Sequence, residues 1–338
     1  TKKYRKMKVW KESASLILAY NYKLLFLKRH RNSSFYPESY VFPGGATHPA
    51  DADLKWHNLF RTFGFDTNSF SSLFPNTNLR PQIFQSKSNE LPKEISLRIT
   101  AIRETFEECG ILLCKQVKRD VPEEDVQNWQ TKVQDDATEF YTMCEKLKCY
   151  PDLWSLHEWS NWLTPTYFTT KRYDTIFYIA CIPLIPYSNY DTIEMENIKW
   201  DTPNNICAAT DMMMPPPQHY EISRIVKFEC LENLLDFAIE RNLPFNYTIV
   251  RVLLKDGKMH VLPGDSMYPK NPNLTEKQII DKTNMTIAEF EEISPIKNRI
   301  VFFDLEVKKV IVHNFDSTEG HIAPMPVEIV YVKSLDKK

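Results

Sequence analysis

The sequence predicts an α/β protein, on three observations. Strand-like segments between residues 14 and 45 end in the dipeptide Gly44-Gly45. A periodic helical segment over 94–109 follows, and Gly110 closes it. Apolar β runs and helical stretches then alternate through the remainder of the 338 residues.

The bulk properties narrow the function. Hydrophobic residues make up 43% of the chain and charged ones 25%, which is globular rather than disordered. The 42 basic and 44 acidic side chains leave a net charge of −2. That offers no global field for nucleic acid or an anionic membrane, so a polyanionic substrate must meet a local basic cluster. No apolar run reaches the roughly 20 residues of a membrane helix, and the first eleven residues are basic rather than signal-like. Seven cysteines without CxxC or Cys/His spacing point to reduced intracellular thiols and argue against a structural zinc site. Glycine is scarce, at 7 residues against an average of about 7%. It is therefore expected where the backbone demands it.

In chain order, Ala14 to Tyr20 and Lys23 to Lys28 read as a hairpin in a buried sheet, and Val41 to Gly45 as a strand running into a turn. Residues 46–93 are too apolar for a linker and read as a packed insertion, with short helices at most. From Glu94 to Cys109, the residues Ile99, Ile102, Phe106 and Cys109 recur at helical steps. Gly110 stops that helix, and Ile111-Leu112-Leu113 is expected to start a strand. Pro122 to Leu147 reads as one amphipathic helix, Thr175 to Leu184 as a strand and Tyr220 to Arg241 as a helix. Strands are expected at Tyr247 to Leu254, Met259 to Leu262, Arg299 to Val312 and Val327 to Val332, with a helix over Thr275 to Glu292.

The densest chemistry lies in Arg103-Glu104-Thr105-Phe106-Glu107-Glu108-Cys109-Gly110-Ile111. At about 100° per residue, Glu104, Glu107 and Glu108 lie opposite the apolar stripe. Glutamates at such spacing are by themselves an ordinary solvated face. Three converging carboxylates, however, raise one another's pKa unless a cation sits among them. Mg²⁺ or Mn²⁺ suits that need, as a hard ion taking oxygen ligands alongside substrate phosphates. Arg103 can orient one carboxylate by a bidentate pair.

The order of strand, Gly-Gly turn, RExxEE helix, glycine and apolar segment resembles the Nudix hydrolase family. The family's box runs Gly, five residues, Glu, seven residues, then Arg-Glu-apolar-x-Glu-Glu-x-Gly-apolar. Here Gly45 and Arg103 to Ile111 match, with Thr105 in an apolar position. Arg103 follows Gly45 by 58 residues, so the 46–93 insertion interrupts the box. Counting back eight residues from Arg103 puts the first glutamate at Ile95, whose only acidic neighbour is Glu94. An interrupted box resembles the motif 19 subfamily of coenzyme A diphosphatases, as do Leu24 to Gly45, Trp162 to Pro165, Arg172 to Thr175 and Pro216 to Glu221.

The resemblance implies an α/β/α sandwich with a mixed central sheet. A Nudix domain would span 1–245, with a helical addition at 115–160, and a C-terminal α+β extension would span 246–338. It implies Glu104, Glu107 and Glu108 as metal ligands and Arg103 as their orienting partner. Gly44 and Gly45 would admit phosphate to the backbone. Lys28, Arg29 and Arg31, with Arg172 and Gln218, are candidate substrate contacts. The general base is left among Glu107, Glu194 and Glu196. The substrate is expected to be coenzyme A or acyl-CoA, with NADH, ADP-ribose or a capped RNA end as alternatives, or a silent nucleotide-binding module. The insertion and the 115–160 segment are expected to border the cleft, the insertion shaping its pantetheine or acyl side. A peroxisomal or mitochondrial place is compatible with the resemblance, though Asp336-Lys337-Lys338 is no peroxisomal signal.

Overall fold

The computed structural model describes residues 10–328 apart from 35, 76–79, 117–121, 169–170, 185–187, 191–193, 242–245, 304–305 and 318–319. The chain opens with β1 (Lys11–Tyr20) and β2 (Lys23–Arg29), joined through Asn21 and Tyr22. Both turn residues have positive φ, 44° and 57°, as the tightest hairpin turns require. Then come β3 (Tyr40–Val41), β4 (Gly44–Ala46), α1 (Trp56–Thr62), α2 (Lys93–Cys109), β5 (Cys114–Gln116), α3 (Glu123–Asp135) and α4 (Glu139–Leu147). The middle of the chain supplies β6 (Cys149–Pro151), β7 (His157–Leu163), β8 (Tyr173–Cys181), β9 (Met195–Asp201), α5 (Pro203–Ala208), α6 (Pro216–Ile225), α7 (Leu231–Glu240) and β10 (Asn246–Thr248). The last part holds β11 (Val250–Leu254), β12 (Gly257–Val261), β13 (Ile279–Lys282), α8 (Ile287–Glu292), β14 (Lys297–Phe303), β15 (Glu306–His313) and β16 (Val327–Glu328).

A mixed eight-stranded sheet runs β10-β7-β8-β1-β2-β3, with β4 added to β1 and β9 to β2. The pairs β1–β8 and β7–β10 are parallel; the other neighbours are antiparallel. Alternation along β1 sends Ala14, Leu16 and Leu18 to one face and Ile17 and Ala19 to the other, all fully buried. The first face packs against α2, the insertion and α4; the second packs against α5, α6 and α7. That is the α/β/α sandwich the resemblance implied. A six-stranded sheet, β13-β11-β12-β14-β15-β16, follows, and its Ile300, Val307 and Val310 join the core beside α6 and α7. Among the described residues no helix is long and apolar enough to cross a membrane.

The insertion is packed, as expected: Trp56, Leu59, Phe60, Phe70, Leu73, Ile83 and Phe84 are all buried in the α2-side core. Several element assignments need correction. Residues 111–113 form no strand; the strand begins at Cys114 and pairs with β6 in a separate two-stranded sheet. The helix expected from Pro122 to Leu147 breaks between α3 and α4, where Asp136 is in extended conformation and its side chain accepts from the Thr138 amide. The helix expected over Tyr220 to Arg241 breaks between α6 and α7. In place of the helix expected over Thr275 to Glu292, Ile279–Lys282 is a strand parallel to β11 and only Ile287–Glu292 is helical. Most of the strand expected at Val327 to Val332 lies outside the described residues. Strands β7 and β9, both in the main sheet, went unread, and residues 115–160 hold β5, β6 and the start of β7 as well as α3 and α4.

Candidate active site

Helix α2 positions the glutamates. Its apolar stripe of Ile99, Ile102, Phe106 and Cys109 is fully buried; each such side chain contributes roughly 1.5–3 kcal/mol. Gly110, at φ 70°, caps its C-terminus by donating to the Phe106 carbonyl at 2.8 Å. From α3, Gln130 and Gln134 both donate to the Glu107 carbonyl, at 3.0 and 2.6 Å. They satisfy an acceptor that the last helical turn leaves open.

On the cleft side, Glu104, Glu107 and Glu108 form one wall with Gly44 and Gly45. The Gly44 amide donates to Glu108 Oε2 at 2.8 Å. A Cβ on Gly45 would fall 2.1 Å from Glu104 Oε2, so only glycine lets this carboxylate lie against the turn. Arg103, 2% exposed, sends Nη1 to Glu107 at 2.7 Å and to Glu104 at 2.9 Å.

The other edge of Arg103 is held by a residue the sequence reading did not single out. Asp51 takes Nε at 2.7 Å and Nη2 at 2.9 Å, a bidentate pair, and also accepts from Thr100 Oγ1 and the His48 amide. Glu94, the acid nearest the position counted back from Arg103, instead approaches Arg80 at 3.4 Å. The acid at the start of the box is therefore Asp51. It stands after five intervening residues from Gly45, the family's own Gly-to-Glu interval, and that count from the glycine was the missed signal.

The electrostatics explain what the wall needs. Burial pushes the Glu104 carboxyl up to about 8, and Glu107 and Asp51 add to the shift while Arg103 opposes it. Burial also raises Glu107, again against Arg103. Glu108 is pushed up by burial and then by Glu104, opposed by the Gly44 amide and Arg29. Arg103 and Arg29 thus leave the cluster short of positive charge, a deficit that a divalent cation would remove. Among the described residues, the one trio of Cys, His, Asp or Glu groups drawn together within 4.8 Å is a set of cysteines, not these glutamates. The open glutamate arrangement suits a hard ion that keeps several waters and shares its shell with phosphate.

The cleft encloses about 540 Å³, within the usual range for a small-molecule site. Arg29 and Glu194 also line it, together with an aromatic and apolar set, Tyr36, Trp162, Tyr167, Phe168 and Pro215 to Pro217. Glu221, fully buried on α6, accepts from the indoles of Trp162 at 2.7 Å and Trp159 at 2.8 Å, which locks the Trp162 ring. Tyr173 and Phe177 also line the cleft.

The remaining candidates divide. Arg29 and Gln218 line the cleft, and among the described residues Arg29 Nε and Gln218 Oε1 are buried without a hydrogen-bond partner. Lys28 is outside the lining and pairs with Glu196 at 3.2 Å, while Arg31 is exposed and gives its amide to the same Glu196. Arg172 is buried, donates to the Thr164 and Leu274 carbonyls and lies over Trp10; it is not part of the cleft lining, though Thr164 and Tyr173 are. Among the described residues, Ala46 is the one insertion residue that lines the cleft, and none of residues 115–160 does so. Both segments instead pack behind α2, the insertion adding Asp51 as the anchor of Arg103.

Comparison with known proteins agrees with this geometry. Residues 6–225 match the NUDT19 Nudix domain, and residues 251–312 match the NUDT19 C-terminal domain. The acyl-coenzyme A diphosphatase NUDT19 of Xenopus laevis is 32% identical, the alignment covering 95% of this chain and 97% of that protein. Those of Gallus gallus and Homo sapiens are 31% and 30% identical, covering 95% and 84% of this chain and 96% and 86% of theirs. The crystal structure of a Nudix hydrolase from Alicyclobacillus acidocaldarius shares the fold, with a TM-score of 0.53 at 18% identity, over 71% of this chain and 99% of that one.

Proposed function

From the premise that this chain belongs to the NUDT19 family of Nudix hydrolases, we propose that it hydrolyses the diphosphate bond of coenzyme A or acyl-CoA. The products are 3′,5′-ADP and 4′-phosphopantetheine or its acyl form. The observation that carries the reading is the joint wall of Glu104, Glu107, Glu108 and the Gly44-Gly45 turn, in one cleft with a set of aromatic side chains. The names of the relatives support the substrate class.

Glu104, Glu107 and Glu108 would hold Mg²⁺ or Mn²⁺, which when bound polarises the attacking water and neutralises phosphoryl oxygens. Arg103 holds Glu104 and Glu107 in place and is itself fixed by Asp51. The turn at Gly44 and Gly45 brings backbone close to the diphosphate. Arg29, with its unused Nε, adds positive charge beside it. Water attacks one phosphorus as the bridging P–O bond breaks, and the water's proton passes to a carboxylate. We assign that role to Glu194, which lines the cleft, over Glu196, which is committed to Lys28 outside it. The aromatic lining, with Trp162 held by Glu221, offers stacking and apolar surface to the adenine or the pantetheine and acyl chain.

The test is turnover of free and acylated coenzyme A, NADH and ADP-ribose, each with Mg²⁺, with Mn²⁺ and without either, using Glu107→Gln as the blank. Metal-dependent release of 3′,5′-ADP that disappears in the variant is the expected result. Turnover of only another diphosphate would discard the substrate, and no turnover of any would favour a silent binding module.

A further inference from the structure

The isolated spacing of the cysteines in sequence argues against a metal site, yet the fold gathers three of the seven. Cys114 opens β5, Cys144 lies near the end of α4 and Cys149 opens β6; their Sγ atoms all lie within 4.8 Å of one another. Antiparallel pairing of β5 with β6 brings the first and third together, and the short turn from α4 into β6 delivers the second. We propose that Cys114, Cys144 and Cys149 form a thiolate site for one soft metal ion of the zinc(II) or copper(I) class, independent of the cleft.

Three sulfurs at about 2.3 Å from a common ion stand about 3.8–4.0 Å apart, so closing this trio onto a metal needs a shift of under roughly an ångström. Thiolate sulfur selects such ions over Mg²⁺ or Mn²⁺, so the site would not compete for the hard ion at the glutamates. Cys144 and Cys149 are fully buried, whereas Cys114 is partly exposed. Packing alone would account for buried cysteines as small apolar groups. It gives no reason for three from separate elements to meet sulfur to sulfur. As each Sγ–metal bond forms, any proton still on that sulfur passes to solvent. None of the three lines the cleft. The ion would instead clip α4 to the β5–β6 pair, beside the α3 helix whose glutamines hold the end of α2.

The reduced full-length chain is titrated with Zn²⁺, with Cu⁺, and with Cd²⁺ as an optical probe. Free thiols are then labelled with N-ethylmaleimide and counted by mass spectrometry. One equivalent should give sulfur-to-cadmium charge-transfer absorption and protect Cys114, Cys144 and Cys149 from labelling. Cys114→Ser and Cys149→Ser should each weaken binding at least tenfold, while Cys181→Ser should not. Absence of a stoichiometric band, protection of other cysteines, or a band that survives both serine variants would overturn the site. Loss of two thiols to a disulfide under peroxide, with no metal uptake by the reduced chain, would overturn it equally. The stoichiometric charge-transfer band of the unmodified chain decides the matter even where a serine variant fails to fold, since burial alone shields Cys144 and Cys149 from the label.

Discussion

Replacing Asp51 by alanine should damage both stability and metal use. The substitution removes a bidentate partner from a guanidinium that is 2% exposed, along with acceptors for Thr100 and the His48 amide. Breaking one side of a buried ion pair costs about 3–5 kcal/mol. Arg103 keeps Glu104 and Glu107, so the lower end, about 3 kcal/mol, is expected. For 338 residues unfolding as one unit, the entropy at the midpoint is about 0.7 kcal/mol/K, giving a Tm drop of about 4 °C. Freed from Asp51, Arg103 would lean wholly on the two glutamates and withdraw them from a cation. Loss of such a supporting partner typically weakens metal binding 10–100-fold. The assay is hydrolysis of acyl-CoA against Mg²⁺ concentration, with Glu94→Gln as the comparison. The midpoint should move to higher Mg²⁺ in Asp51→Ala and stay in place in Glu94→Gln. A normal midpoint in the first with a shifted one in the second would give the role to Glu94 and refute the assignment.

Three further outcomes are expected. Gly45→Ala pushes a Cβ into the Glu104 side chain and should abolish turnover while the fold survives. Gly44→Ala meets the Ala14 carbonyl at 2.4 Å with φ at 149° and should cost about 2 kcal/mol or more of stability; denaturation and turnover of the two variants separate these effects. Glu194→Gln should lower kcat by about 10²–10⁴, whereas Glu196→Gln should leave kcat unchanged; equal effects would remove Glu194 as base. Burial holds His219 neutral by lowering its pKa to about 4. The unfolded chain, with a pKa near 6.5, therefore binds the extra proton between about pH 4 and 6.5, and stability falls as pH drops through that window. The shift corresponds to about 2 kcal/mol lost between pH 7 and 5. Urea denaturation should show the stability gap between wild type and His219→Gln shrinking by that amount, and a constant gap would contradict it.

What could be read in the sequence was local. Helix α2 carries its own period, its own glycine stop and its three glutamates within one turn and a half, so neighbours in sequence are neighbours in space. The hairpin β1–β2 was legible for the same reason. Long-range pairings were not. Asp51 meets Arg103 across 52 residues, and only a spacing measured from Gly45 hints at it. Strand β7, HEWSNWL, is buried along almost its whole length despite its polar letters, because Glu158 pairs with Arg80, Asn161 with Asp174, and both tryptophans with Glu221. Strand β13 looks helical by composition and is made a strand by its parallel neighbour β11. Arg172 and Arg31 show that a cation's position along the chain does not say which way it faces. Arg29, two residues before Arg31, lines the cleft and Arg31 does not.

The packed insertion leaves and rejoins the box at one point, where the Leu91 amide donates to the Ala52 carbonyl at 2.9 Å. Everything between those residues hangs from a closed neck, and Asp51 stands just outside it. Lengthening such a loop is thermodynamically mild, at about 0.6 kcal/mol per doubling. The segment can therefore change in size and sequence over evolution, or accept a grafted module in the laboratory, while the ion-handling apparatus keeps its geometry. Its freedom is bounded by the apolar face it must still lay against α2 and α4 and by Arg80, which pairs with Glu158 of β7.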